Sequence, residues 1–162
     1  MSFEPTAMRL WKHLSRADHL AAAKCFWREP PEEMLGSALG AVVKARRMRP
    51  QAARALSDEA RSQALAGVLD VGEPLAAALL VALHLGERRA LLKAFLDALG
   101  LPHEDGLLKE EADAIPPPTA EALTRAVGAL GAFPRPEVEA YLNTLWLQDP
   151  TRWAALEGVG IS

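Results

Sequence analysis

The stretch "PLAAALLVALHLG", Pro74 to Gly86, decides the fold class. It holds no Asp, Glu, Lys or Arg, and nine of its thirteen residues are Ala or Leu, the strongest common helix formers. At 100° per residue its apolar side chains point in every direction. The pattern therefore predicts a helix over 74–85 that is buried all round and central to the fold. It falls well short of the ~20 residues needed to cross a bilayer, so it reads as a core helix rather than a membrane span.

The segments on either side are amphipathic. In "RRALLKAFLDALG", Leu91, Leu92, Phe95, Leu96 and Leu99 share one face, with Arg89, Lys93 and Asp97 opposite. In "PEVEAYLNTLWLQD", Val138, Tyr141, Leu142 and Leu145 line up against Glu137, Glu139 and Asn143. Half of the 162 residues are hydrophobic, but only 6% are aromatic. Apolar content thus comes from Ala and Leu, and strand-favouring residues are scarce. Helices are predicted near 6–13, 15–28, 31–47, 50–56, 58–70, 74–85, 88–99, 105–114, 119–132, 136–147 and 150–156. Ser15 (with Asp18), Ser57, Thr119 and Asp149 are the N-cap candidates, the last followed by Pro150. The class is all-α: a compact multi-helix bundle or a short helical array.

A weak echo runs through this pattern. "AFLDALGL" at 94–101 matches "AYLNTLWL" at 140–147, an offset of 46 residues. Two helical triplets would then span 57–101 and 103–147, behind an N-terminal helical layer at 1–56 and before a C-terminal helix or tail at 148–162. A period in the forties with two or three helices resembles HEAT or armadillo repeats. Any string of short helices also aligns with itself at some offset. No long Pro, Gly or Ser linker interrupts the chain, so 1–162 reads as one helical domain.

The net charge of −3 conceals an asymmetry. Residues 1–54 carry ten Lys/Arg against five Asp/Glu, and the remainder eight against sixteen. The basic charge is concentrated in "VVKARRMRPQAAR": Lys44, Arg46, Arg47, Arg49 and Arg54. Most of these sit at a predicted helix C-terminus, where cations are favoured by the dipole. An acidic protein partner is the second reading, behind a solvated helix end. Nucleic acid is a weaker reading, since no helix-turn-helix, zinc-finger or RNA-recognition signature accompanies them.

The titratable knot "PHEDG", residues 102–106, invites a site reading. Glu104 and Asp105 are expected to cap the start of helix 105–114. A sharper reading joins them and His103 to Asp70 and Glu73 in an acidic rim for a basic peptide or a divalent cation. His84 is the one polar side chain in the central helix and is expected to meet the free carbonyls of its last turn, with a ligand pocket as the alternative. If helices 74–85 and 88–99 form an antiparallel hairpin, His84 and His103 lie ~18 Å apart and share no metal. No H-x-x-x-H, C-x-x-C, phosphate loop or nucleophile elbow is present. No cofactor or metal is assigned.

The lone cysteine, Cys25, forms no internal disulfide and points to a reducing compartment. The opening "MSFEPTAMRLWKHL" lacks the apolar core of a signal peptide, so a cytoplasmic location is expected. The leading expectation is a non-catalytic helical module that binds a protein partner through charged helical surfaces. Small-ligand or metal-dependent chemistry near His84 or His103 is the runner-up, and nucleic-acid binding through 44–54 the third. Opposite charges at the two ends also allow a head-to-tail homo-oligomer that salt would weaken.

Overall fold

A computed structural model describes residues 6–159. Among them are nine α-helices and one two-stranded sheet, so the fold is all-α. No described helix is long and apolar enough to cross a membrane. The chain divides into two compact units, which part between Glu87 and Arg88.

The first unit contains α1 (Ala7–His13), α2 (Arg16–Arg28), α3 (Glu32–Arg46), α4 (Pro50–Ala55), α5 (Asp58–Ala66) and α6 (Glu73–Glu87). Helix starts follow the expected chemistry: the Ser15 and Ser57 hydroxyls accept from the amides of Asp18 and Ala60, both at 3.1 Å. α6 packs against α1, α2 and α3. Its burial is one-sided, contrary to expectation. Leu75/Ala76, Leu79/Leu80 and Leu83/His84 are buried, while Ala77, Ala78, Val81 and Ala82 are half-buried. A sequence apolar on all sides does not choose a face; the partner helices do.

Two contacts fix α6 in this unit. At its start, the Glu73 carboxylate accepts from the amides of Ala7 (2.5 Å) and Met8 (3.1 Å), satisfying free donors at the start of α1. At its end, α2 comes so close that a Cβ on Gly86 would lie 2.3 Å from Cys25 Sγ and 2.9 Å from its Cβ. Trp11 closes the other side of the core, fully buried. Its indole donates to the Val68 carbonyl at 2.9 Å, and its own carbonyl accepts from His19 Nε2 at 2.6 Å.

The second unit contains α7 (Arg89–Leu99), a hairpin of β1 (His103–Glu104) and β2 (Leu107–Leu108), and a 3-10 turn at Glu110–Ala114. It continues with α8 (Ala120–Gly128), α9 (Arg135–Gln148) and a final 3-10 segment, Ala154–Val159. The helix expected at 105–114 is thus replaced by the hairpin and the 3-10 turn. A turn with the 3-10 segment likewise replaces the one expected at 150–156. Phe95 organises the core, edge-on to Tyr141 at 5.6 Å and tilted against Trp153 at 5.8 Å. α9 is more enclosed than its amphipathic pattern suggests. Asn143 and Thr144 are buried because their side chains return hydrogen bonds to the carbonyls of Glu139 and Ala140, each at 2.7 Å.

The Gly86→Ala variant is expected to lose about 1–3 kcal/mol of stability, because two helix backbones must part to admit the methyl. Adding Cys25→Ala should recover part of that loss; an unchanged Tm for Gly86→Ala would contradict the close approach. A second expectation concerns alkaline pH. Burial, reinforced by the nearby Glu87 carboxylate, pushes the Cys25 thiol above its ordinary 9.0. Burial likewise raises the Tyr141 phenol. The folded chain therefore keeps protons that the unfolded chain releases, and stability should be insensitive to these groups below pH 9.0 and decline above it. Denaturation midpoints measured from pH 7 upward test this, and Cys25→Ala should flatten the decline.

Candidate functional site

The residues singled out from sequence fall in different settings. Lys44, Arg46, Arg47, Arg49, Arg54, Asp70, Glu73 and His84 belong to the first unit, and His103, Glu104 and Asp105 to the second.

The hairpin begins with chain chemistry. Asp105 and Gly106 both have positive φ, 53° and 90°, as a two-residue type I′ turn requires. His103 pairs with Leu108 and Glu104 with Leu107. This overturns the reading of Glu104 and Asp105 as helix caps: Asp-Gly between extended flanks closes a hairpin before a helix can start. Gly106 is also needed for space, since a Cβ there would lie 2.9 Å from Leu92 Cβ.

Asp105 in this turn is already engaged. Asp105 lies 3.7 Å from Arg89 and 3.6 Å from Lys93, and its carbonyl accepts from Arg89 at 2.6 Å. His103 uses both ring nitrogens: Nε2 meets Asp97 at 2.6 Å, and Nδ1 accepts the Gly106 amide at 3.2 Å. With Nδ1 accepting, Nε2–H is the donor to Asp97, so neither nitrogen offers a lone pair to a metal. The sequence signal for this was present in Asp97, Arg89 and Lys93, which share the polar stripe of α7. Glu104 is exposed. Among the described residues, no three His, Cys, Asp or Glu side chains are placed to hold a metal ion.

Asp70 is exposed, whereas the Glu73 carboxylate is committed to the start of α1. His84 is enclosed in α6, at 3% exposure. A residue that sequence reasoning passed over, Arg152, ties together its own unit. It donates to the Ala112 carbonyl (3.1 Å) and to Asp113 (2.6 Å), with Asp149 at 3.6 Å.

The basic segment is different. Lys44 and Arg46 occupy the last turn of α3, and Arg47 is its left-handed C-cap at φ 51°. Arg49 precedes Pro50 at the start of α4, and Arg54 lies in that helix's last turn. All five side chains are exposed. None lies within ion-pair distance of a carboxylate among the described residues. No aromatic residue occurs between 44 and 56.

Comparison of the chain with protein-family models, curated proteins and solved structures finds no match.

The Gly106→Ala variant should unfold at lower temperature, by an amount equivalent to about 2 kcal/mol or more, since strain at positive φ adds to the clash with Leu92. Asp105→Asn, which keeps the turn preference but removes the charge, should cost within about 1 kcal/mol. Thermal melts that rank the two variants the other way round would refute this account of the hairpin.

Proposed function

We propose that the protein is a non-catalytic interaction module whose basic segment, Lys44 to Arg54, docks an acidic segment of a protein partner. The observation that carries this reading is a contrast. Asp105 in the acidic turn is offset by Arg89 and Lys93 within its own unit, whereas the five cations from Lys44 to Arg54 stand exposed and unpaired among the described residues. Unpaired surface cations attract and orient an oppositely charged partner more than they strengthen the final complex. A single-strand nucleic-acid platform would add stacking aromatics, and the segment has none. The reading places the protein in the reducing cytoplasm, in keeping with a single buried thiol.

Affinity capture from lysate, with and without nuclease, followed by binding measurements on the purified partner, tests this. Capture should survive nuclease, and binding should weaken as salt rises. The Arg46→Glu/Arg47→Glu variant should bind about tenfold more weakly or worse. Its stability should change by no more than about 1 kcal/mol, as expected for exposed charges at a helix end. Loss of all capture on nuclease treatment would replace this reading with nucleic-acid binding.

A further inference from the structure

"IPPPT", Ile115 to Thr119, links the 3-10 turn to α8 and plays no part in the basic surface. Three consecutive prolines fix φ near −65°, and each forces the residue before it out of the helical region. The flanking residues are extended as well: Ile115 at φ −93°, ψ 133° and Thr119 at φ −77°, ψ 161°. With φ fixed at the three prolines and both flanking residues extended, the chain bends at Ile115 and then runs to Thr119 as a polyproline II-type strip, five residues and about 15 Å long at ~3.1 Å per residue.

The strip is anchored at both ends and exposed at its first two prolines, with Pro118 half-buried. Upstream, Arg152 holds the carbonyl of the fully buried Ala112 and the carboxylate of Asp113. Downstream, the Thr119 hydroxyl caps α8 by accepting from the Ala122 amide at 3.1 Å, and Leu123 is fully buried. Between these anchors Pro116 and Pro117 are exposed. No described donor bonds to the carbonyls of residues 115–118. Ile115, at 38%, is one of three exposed large hydrophobic residues among those described.

The geometry points to a docking strip for a protein domain that reads polyproline II in a groove lined by aromatic side chains. Ile115, Pro116 and Pro117 fill the groove, and the free carbonyls accept from donors along its rim. Because the strip is already rigid, little conformational entropy is lost on binding. Glu110 and Glu111, exposed just upstream, call for Lys or Arg on the adjoining flank of the groove. This surface is independent of the basic segment.

The test is titration of the ¹⁵N-labelled full chain with three purified polyproline readers: an SH3, a WW and an EVH1 domain. At least one should shift amide resonances within 107–121 and saturate with a Kd below about 1 mM. Pro116→Ala/Pro117→Ala should weaken that binding about fivefold or more, as preorganisation is lost. Should the double variant melt early, Ile115→Ser with the prolines intact decides the matter, and it should also bind more weakly. Absence of shifts with all three domains, shifts centred on 44–54, or undiminished binding by Ile115→Ser would each overturn the proposal.

Discussion

Close approach between backbones is the constraint on which the first unit depends. A chain rich in Ala and poor in aromatics can build a dense core only if its helices come nearer than large side chains would permit. α2 and α6 achieve this where Gly86 faces Cys25, and Ala22, Ala23 and Ala76 are wholly buried. The large residues then have defined places rather than general ones. Trp11 is fixed by its indole bond to Val68 and by the His19 ring, whose centroid lies 4.4 Å away. The Glu73 carboxylate sets where α1 begins. The second unit relies more on aromatic contact, with Phe95, Tyr141 and Trp153 meeting at its centre.

Helix positions were largely legible because they rest on local chemistry. Ser15, Ser57 and Thr119 cap the helices that their sequence context announces, and the apolar face of α7 is buried as its spacing indicates. Burial was harder to read where the pattern carried no direction. α6 is apolar all round and is enclosed on one face; α9 looks amphipathic and is enclosed far more broadly. In α9 the difference comes from Asn143 and Thr144, which satisfy their polar groups on their own backbone and so can be buried. The widest departure from local helix chemistry lies at "PHEDG". Acidic residues before an apolar pair suit a helix start, but Asp-Gly is also a strong hairpin signal, and the turn geometry prevailed.

Charge pairing differs from place to place along the chain. Asp105 in the hairpin is matched by Arg89 and Lys93, one helical turn apart on α7, and Asp113 and Asp149 share Arg152. The cations from Lys44 to Arg54 have no such matches among the described residues. Sequence alone could locate the basic run; it could not show that the run remains unpaired, because that depends on where distant carboxylates lie in the fold. The proline strip was visible only as a break between helices. Its exposure and its open carbonyls emerge once both ends are seen to be anchored.

The Asp105–Gly106 turn also bears on how the molecule ages. An Asp-Gly bond rearranges when the glycine amide nitrogen attacks the aspartate side chain, giving a succinimide and then isoaspartate. In the folded hairpin that nitrogen donates to His103 Nδ1, while the carboxylate lies between Arg89 and Lys93. The arrangement that closes the turn therefore restrains the reaction that would lengthen its backbone. Chemical damage at this bond is expected to be faster in the unfolded chain, and once formed, isoaspartate would no longer fit the two-residue turn.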